Sequence, residues 1–189
     1  MNAFVAALPM YDWPEERAGT DRQWMRLRDA LRAAAVDAPE GLARRNSDMP
    51  AVPGGIRDAQ GAAAAPDPAT LPAEAFDLPV LWRHPKLLFA QACWGPMELG
   101  LEPFVEVVGQ PDYSGFEGGW GTFYSSVVLA RRDEAGTPVS PPRDGRADLP
   151  VGKLRGRRFA YNGADSMSGY IAPGRDLEAA GEGIAIFSG

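Results

Sequence analysis

The sequence predicts an α/β protein, on three observations. Short apolar runs of strand length alternate with stretches of helical spacing. Polar and turn-forming residues follow those runs at once, as they do at the carboxyl ends of strands in open α/β sheets. Late in the chain, residues 158–170 read as a strand, a tight turn and the start of a helix.

Taken in order, residues 4–8 are a compact apolar run closed by Pro9, which predicts a buried first strand. Tyr11, Asp12 and Trp13 come next, in the loop where such sheets place ligand-binding groups. Thr20 or Asp21 caps a predicted helix running to about residue 36, with Trp24, Leu27, Leu31 and Ala34 or Ala35 as its core-facing stripe. Residues 46–75 are rich in proline, glycine and alanine and poor in large apolar side chains, which predicts a flexible insertion rather than a linker between domains. Leu78, Leu81 and Trp82 suggest a short helix closed by His84-Pro85, and residues 87–90 a second buried strand ending in Gln91, Ala92, Cys93 and Trp94. Residues 102–108 predict another strand. A glycine-rich turn through Gly121 leads to residues 122–131, the clearest strand pattern in the chain. A charged, proline-rich loop covers 132–150; a strand over 159–161, a capped segment through Leu177 to Ala180 and a last strand over 184–187 complete the alternation.

Composition bounds the function. A formal net charge of −6, with no basic run, argues against nucleic-acid binding. The single histidine, His84, excludes a His-rich metal site and makes a Ser-His-Asp triad improbable. The single cysteine, Cys93, allows no intrachain disulfide. No segment is long enough to span a membrane. The first residues lack a basic region and a signal-length apolar run, so the sequence as given reads as cytoplasmic. No cofactor motif appears.

The turn at Asn162, Gly163 and Asp165, followed by Ser166, Ser168 and Gly169, carries the most chemistry. A helix N-terminus presents unpaired N–H groups and a partial positive charge, and two hydroxyls beside them add donors aimed at an anion. The plainer reading stands beside it: Asp165, Ser166 or Ser168 is an N-cap.

Four groups of residues together resemble the phosphate/phosphonate-type substrate-binding proteins of ABC transporters. They are Leu8 to Asp12; Trp82 to Pro85 with Leu88 to Cys93; Pro111 to Tyr113 with Phe123 to Val128; and Arg158 to Asn162 with Asp165 to Tyr170. The resemblance implies a type II periplasmic-binding-protein-like fold, two α/β lobes around a cleft. Residues 1–105 would form the first lobe, with 46–75 inserted, and 106–189 an incomplete second lobe. It implies that Ser166, Ser168 and Gly169 bind a ligand oxyanion, that Tyr11 and Gln91 face the cleft from the first lobe, and that Tyr124 and Ser125 do so from the second. The implied role is the solute-binding component of an importer, taking a small oxyanion or phosphonate-like ligand, with an ABC permease as partner and a periplasmic location. Family members continue beyond the position of Gly189, so a return segment is expected to be absent. A truncated or degenerate member that binds nothing is the alternative. An enzyme on the same fold, with Cys93 as nucleophile and His84 as base, is the remaining one.

Overall fold

The computed structural model describes residues 4–131 and 149–188. The chain divides into two compact units, Met1–Glu106 and Val107–Gly189.

In the first unit the elements run β1 (Val5–Ala7), α1 (Arg17–Ala33), β2 (Ile56–Arg57), β3 (Ala63–Ala65), α2 (Leu78–Arg83), β4 (Leu87–Ala90) and the short α3 (Trp94–Pro96). β1 and β4 pair in parallel, with Ala6 opposite Phe89 and Ala7 opposite Ala90. β1 is buried on both faces, and the pleat sorts its side chains. Val5 and Ala7 join a core of Val80, Leu81, Trp82 and Leu101, while Ala6 and Leu8 join Trp24 and Ala38. The parallel pair therefore lies between α1 on one face and α2 with the β2–β3 hairpin on the other.

α1 forms because Trp24, Leu27 and Leu31 share a stripe against Ala6 and Leu8, with Trp24 buried to the backbone. Its ends differ from expectation. The helix begins at Arg17, and neither Thr20 nor Asp21 caps it. The Thr20 hydroxyl donates back to the Glu16 carbonyl at 3.3 Å, and Asp21 turns outward to Arg44. It stops at Ala33 because Ala35 adopts a left-handed φ of +62°.

Residues 46–75, expected to form a flexible insertion, are instead packed against the core of the first unit. Met49, Ile56 and Pro68 are buried, and Met49 and Ile56 share one core with Val5 and Leu81. Asn46 is almost wholly buried and acts as a clamp: its amide Nδ2 donates to the Pro72 carbonyl at 3.0 Å, its Oδ1 accepts from the Asp77 amide at 2.9 Å. Small residues gave the segment a disordered look, yet a few apolar anchors and a satisfied polar residue hold it. α2 follows the sequence closely. Asp77 caps it through the Val80 amide at 3.0 Å, and Pro85 ends it at His84.

Four predicted strands do not form. Residues 102–108 make a short helical turn over Glu102–Phe104, with Pro103 in its first turn, and Val108 stands exposed. Residues 122–131 carry only an isolated bridge between Trp120 and Phe123; Val127 and Leu129 are 79% and 87% exposed. Residues 159–161 are irregular, and Ile184–Ile186 is a helical turn. These segments have strand composition but, among the described residues, no neighbouring strand to complete a ladder. Most of the expected loop at 132–150 lies outside the described residues.

The second unit is built instead around α4 (Val151–Leu154) and α5 (Ala172–Ala179), the latter entered through a wide helical turn over Met167–Ile171. Leu177 and Ile186 are buried. Phe187, Phe159, Tyr161 and Tyr170 form a chain of ring contacts at 4.6, 5.4 and 4.7 Å. The closing segment is tied down by Gly156 N–H to the Ile186 carbonyl (2.7 Å) and Ser188 N–H to the Arg157 carbonyl (2.9 Å).

Candidate functional site

In the first unit the loops leaving β1 and β4 emerge side by side at the carboxyl ends of a parallel pair. Gln91 joins them. Its Oε1 accepts from the Met10 amide at 3.4 Å, its own amide donates to the Ala7 carbonyl at 3.3 Å, and its carbonyl accepts from the Trp82 indole at 2.9 Å. The side-chain NH2 of Gln91 is the donor this arrangement leaves over. Tyr11, next to Met10, is 61% exposed and sets its ring edge-on to Trp13 at 5.7 Å.

An open groove of about 570 Å³ lies beside these loops along α1. Its apolar wall is Leu8, Leu27, Ala30 and Phe89; its polar groups are Arg22, Gln23, Arg26 and Gln91, with Gly19 at the edge. Tyr11 is not part of the lining.

Charge pairing along α1 sets the electrostatics. Arg28 and Arg32 both reach Glu40, and Arg32 also donates to the Ala38 carbonyl at 2.7 Å. Asp21 is bound at 2.8 Å by Arg44, whose Nε meets Asp12 at 2.5 Å. The hydrogen bond that Arg44 donates to Asp12 is the main reason its guanidinium is held even more firmly protonated than usual, against the opposing effect of burial. Arg44 thereby pairs with Asp12 and Asp21 together and fastens the loop after β1 to α1. Among the described residues, Arg22 and Arg26 have no carboxylate partner. They stand one helical turn apart on the groove side.

In the second unit Ser166 takes the plainer role. It is buried, has extended backbone angles, and its Oγ accepts from the Gly169 amide at 3.1 Å while its carbonyl accepts from Tyr170 and Ile171. It is the N-cap. One amide that the resemblance assigns to a ligand is thus used internally. Gly169 is also crowded: a Cβ there would stand 2.2 Å from the Asn162 side-chain oxygen. Ser168 is half-buried beside it. Tyr124 packs its ring on Tyr113 at 5.0 Å, and Ser125 donates to the Gly118 carbonyl at 2.9 Å, both within the 113–125 loop. Among the described residues no hydrogen bond or ring contact joins that loop to Ser166, Ser168 or Gly169.

The Cys93–His84 pair does not assemble as a nucleophile and base. His84 is buried, its Nδ1 accepts from the Lys86 amide at 3.0 Å, and its Nε2 therefore carries the proton and donates to the Pro50 carbonyl at 2.9 Å. Both nitrogens hold the fold. Among the described residues no cluster of His, Cys, Asp and Glu offers a metal site, and no helix is long and apolar enough to cross a membrane.

Arg22 and Arg26 were missed from sequence, where arginines on an amphipathic helix read as a solvated face. The available signal was local charge. Residues 17–33 hold five arginines against two aspartates in a chain of net charge −6. No family model, curated protein or solved structure matches this chain.

Proposed function

We propose that the protein is a solute-binding protein for a small oxyanion or phosphonate-like ligand, and that its first unit supplies the principal contacts. The observation that carries this reading is the pair Arg22 and Arg26, which have no carboxylate partner among the described residues and flank a groove at the carboxyl ends of β1 and β4. A guanidinium presents donors in a fork that suits carboxylate and phosphate oxygens, and the Gln91 NH2 adds a neutral donor. The importer role, the permease partner, the periplasmic location and the type II fold rest on the sequence resemblance. They form the wider part of the proposal.

The test is thermal shift and calorimetry on the full chain with phosphate, sulfate, methylphosphonate and small organic phosphates. Binding that weakens with salt and is reduced at least tenfold by Arg26→Ala is expected. A cooperatively melting protein whose transition no member of the panel moves would refute the proposal and favour a chain that binds nothing. Ser168→Ala separates the two candidate sites: an unchanged dissociation constant leaves Ser166 and Ser168 as parts of a helix start.

A further inference from the structure

Groove size and lining say more about the ligand than its charge does. A bare tetrahedral oxyanion is no larger than a few waters, each with a share of roughly 30 Å³. The groove, an open one of about 570 Å³, has room for a small organic molecule. Leu27 and Phe89 pack against the cluster around Trp24 and Leu8 yet remain only half-buried, so each leaves apolar surface facing the groove. Gly19, at its edge, contributes no side chain, and Arg22 Nη2 and Glu16 Oε2 each come within 3.9 Å of the place a Cβ would occupy. The charged groups thus stand on the α1 side, next to the apolar wall of Leu8, Leu27 and Phe89.

Building on the anion-binding reading, we infer that the ligand is an amphipathic organic acid. Arg22 and Arg26 hold its carboxylate or equivalent head, and Leu27 and Phe89 hold an alkyl or aryl body. The site lies wholly within the first unit. One methylene fully withdrawn from water is worth about fourfold in affinity, so the body contributes to recognition on the same scale as the head.

The experiment is isothermal titration of the full chain, at fixed ionic strength, with inorganic phosphate, acetate, hexanoate and benzoate. Hexanoate and benzoate are expected to bind at least tenfold more tightly than acetate. Arg26→Ala should weaken both, and Ala30→Gln, at an exposed helix position, should collapse the ratio of hexanoate to acetate affinity. If phosphate binds as tightly as hexanoate, and acetate no more weakly, the inference is overturned while anion binding stands. If none of the four binds a cooperatively folded protein, the anion-binding reading fails and takes this inference with it.

Discussion

Ala35 is the clearest place to perturb the fold. It lies just past the end of α1 at φ +62°, with its amide bonded to the Arg32 carbonyl at 2.9 Å and the Val36 amide bonded to the Leu31 carbonyl at 2.9 Å. α5 closes in the same way: Gly181 has φ +78°, its amide meets the Glu178 carbonyl at 2.9 Å, and the Glu182 amide meets the Leu177 carbonyl at 2.9 Å. One chain thus builds the same helix stop once with alanine and once with glycine. A left-handed conformation costs an L-residue about 1–2 kcal/mol. Glycine escapes that cost but returns about 0.5–1 kcal/mol through its freer unfolded chain. Ala35→Gly should therefore stabilise by about 0.5–1 kcal/mol, and Gly181→Ala should destabilise by a similar amount. Urea unfolding followed by far-ultraviolet circular dichroism reads both. With a slope of about 1–3 kcal/mol/M, the Ala35→Gly midpoint should rise by roughly 0.2–1 M at constant slope. A midpoint that falls, or a Gly181→Ala variant as stable as the parent, would refute the left-handed stop as the controlling feature.

Three further outcomes are expected. Trp24 is buried and its ring N–H has no partner among the described residues. Trp24→Ala should cost about 3–5 kcal/mol, and Trp24→Phe under about 1.5 kcal/mol because it also deletes a donor whose burial costs about 1–3 kcal/mol; equal losses in urea unfolding would contradict this. Burial opposes ionisation of Asp48, but hydrogen bonds from the Arg44 amide and the Arg45 guanidinium outweigh it and hold the carboxyl below its usual range. Its folded pKa is depressed, so its stabilisation is present above about pH 4, the unfolded value, and is lost as pH falls through the folded one. The stability gap between parent and Asp48→Asn should close over that acidic window, and a gap unchanged down to pH 2 would count against it. Gly169→Ala drives a methyl into the Asn162 oxygen, so it should destabilise by about 1 kcal/mol despite alanine's better helix propensity. Adding Asn162→Ala should restore most of the loss, as coupled neighbours do.

The first half of the fold was legible in sequence because its signals are local. β1 and β4 are short apolar runs ended by turn formers, α1 has a helical stripe, and α2 carries its own cap at Asp77 and its own stop at Pro85. Residues 122–131 and 184–187 misled for the opposite reason. Their β-branched and aromatic side chains record local preference, whereas a strand exists only when a distant segment supplies the other half of its ladder. Asn46 shows the same limit in a polar residue, since nothing near it in sequence announces Pro72 and Asp77 as partners. At the candidate site Gln91 was legible from its place after a strand. Arg22 and Arg26 required knowing which neighbouring charges are already paired.

The pairing of β1 with β4 also sets a timetable for synthesis. Val5 meets Leu87, so the chain that joins the two strands is made entirely between them. At about 5–20 residues per second, a ribosome would deliver β4 roughly 4–16 s after β1. Throughout that interval the strand destined to be covered on both faces has no partner, and long-range parallel closure is slow even once both halves are present. The most deeply buried strand of the finished unit is thus its longest-exposed strand during translation, and the earliest target for a chaperone.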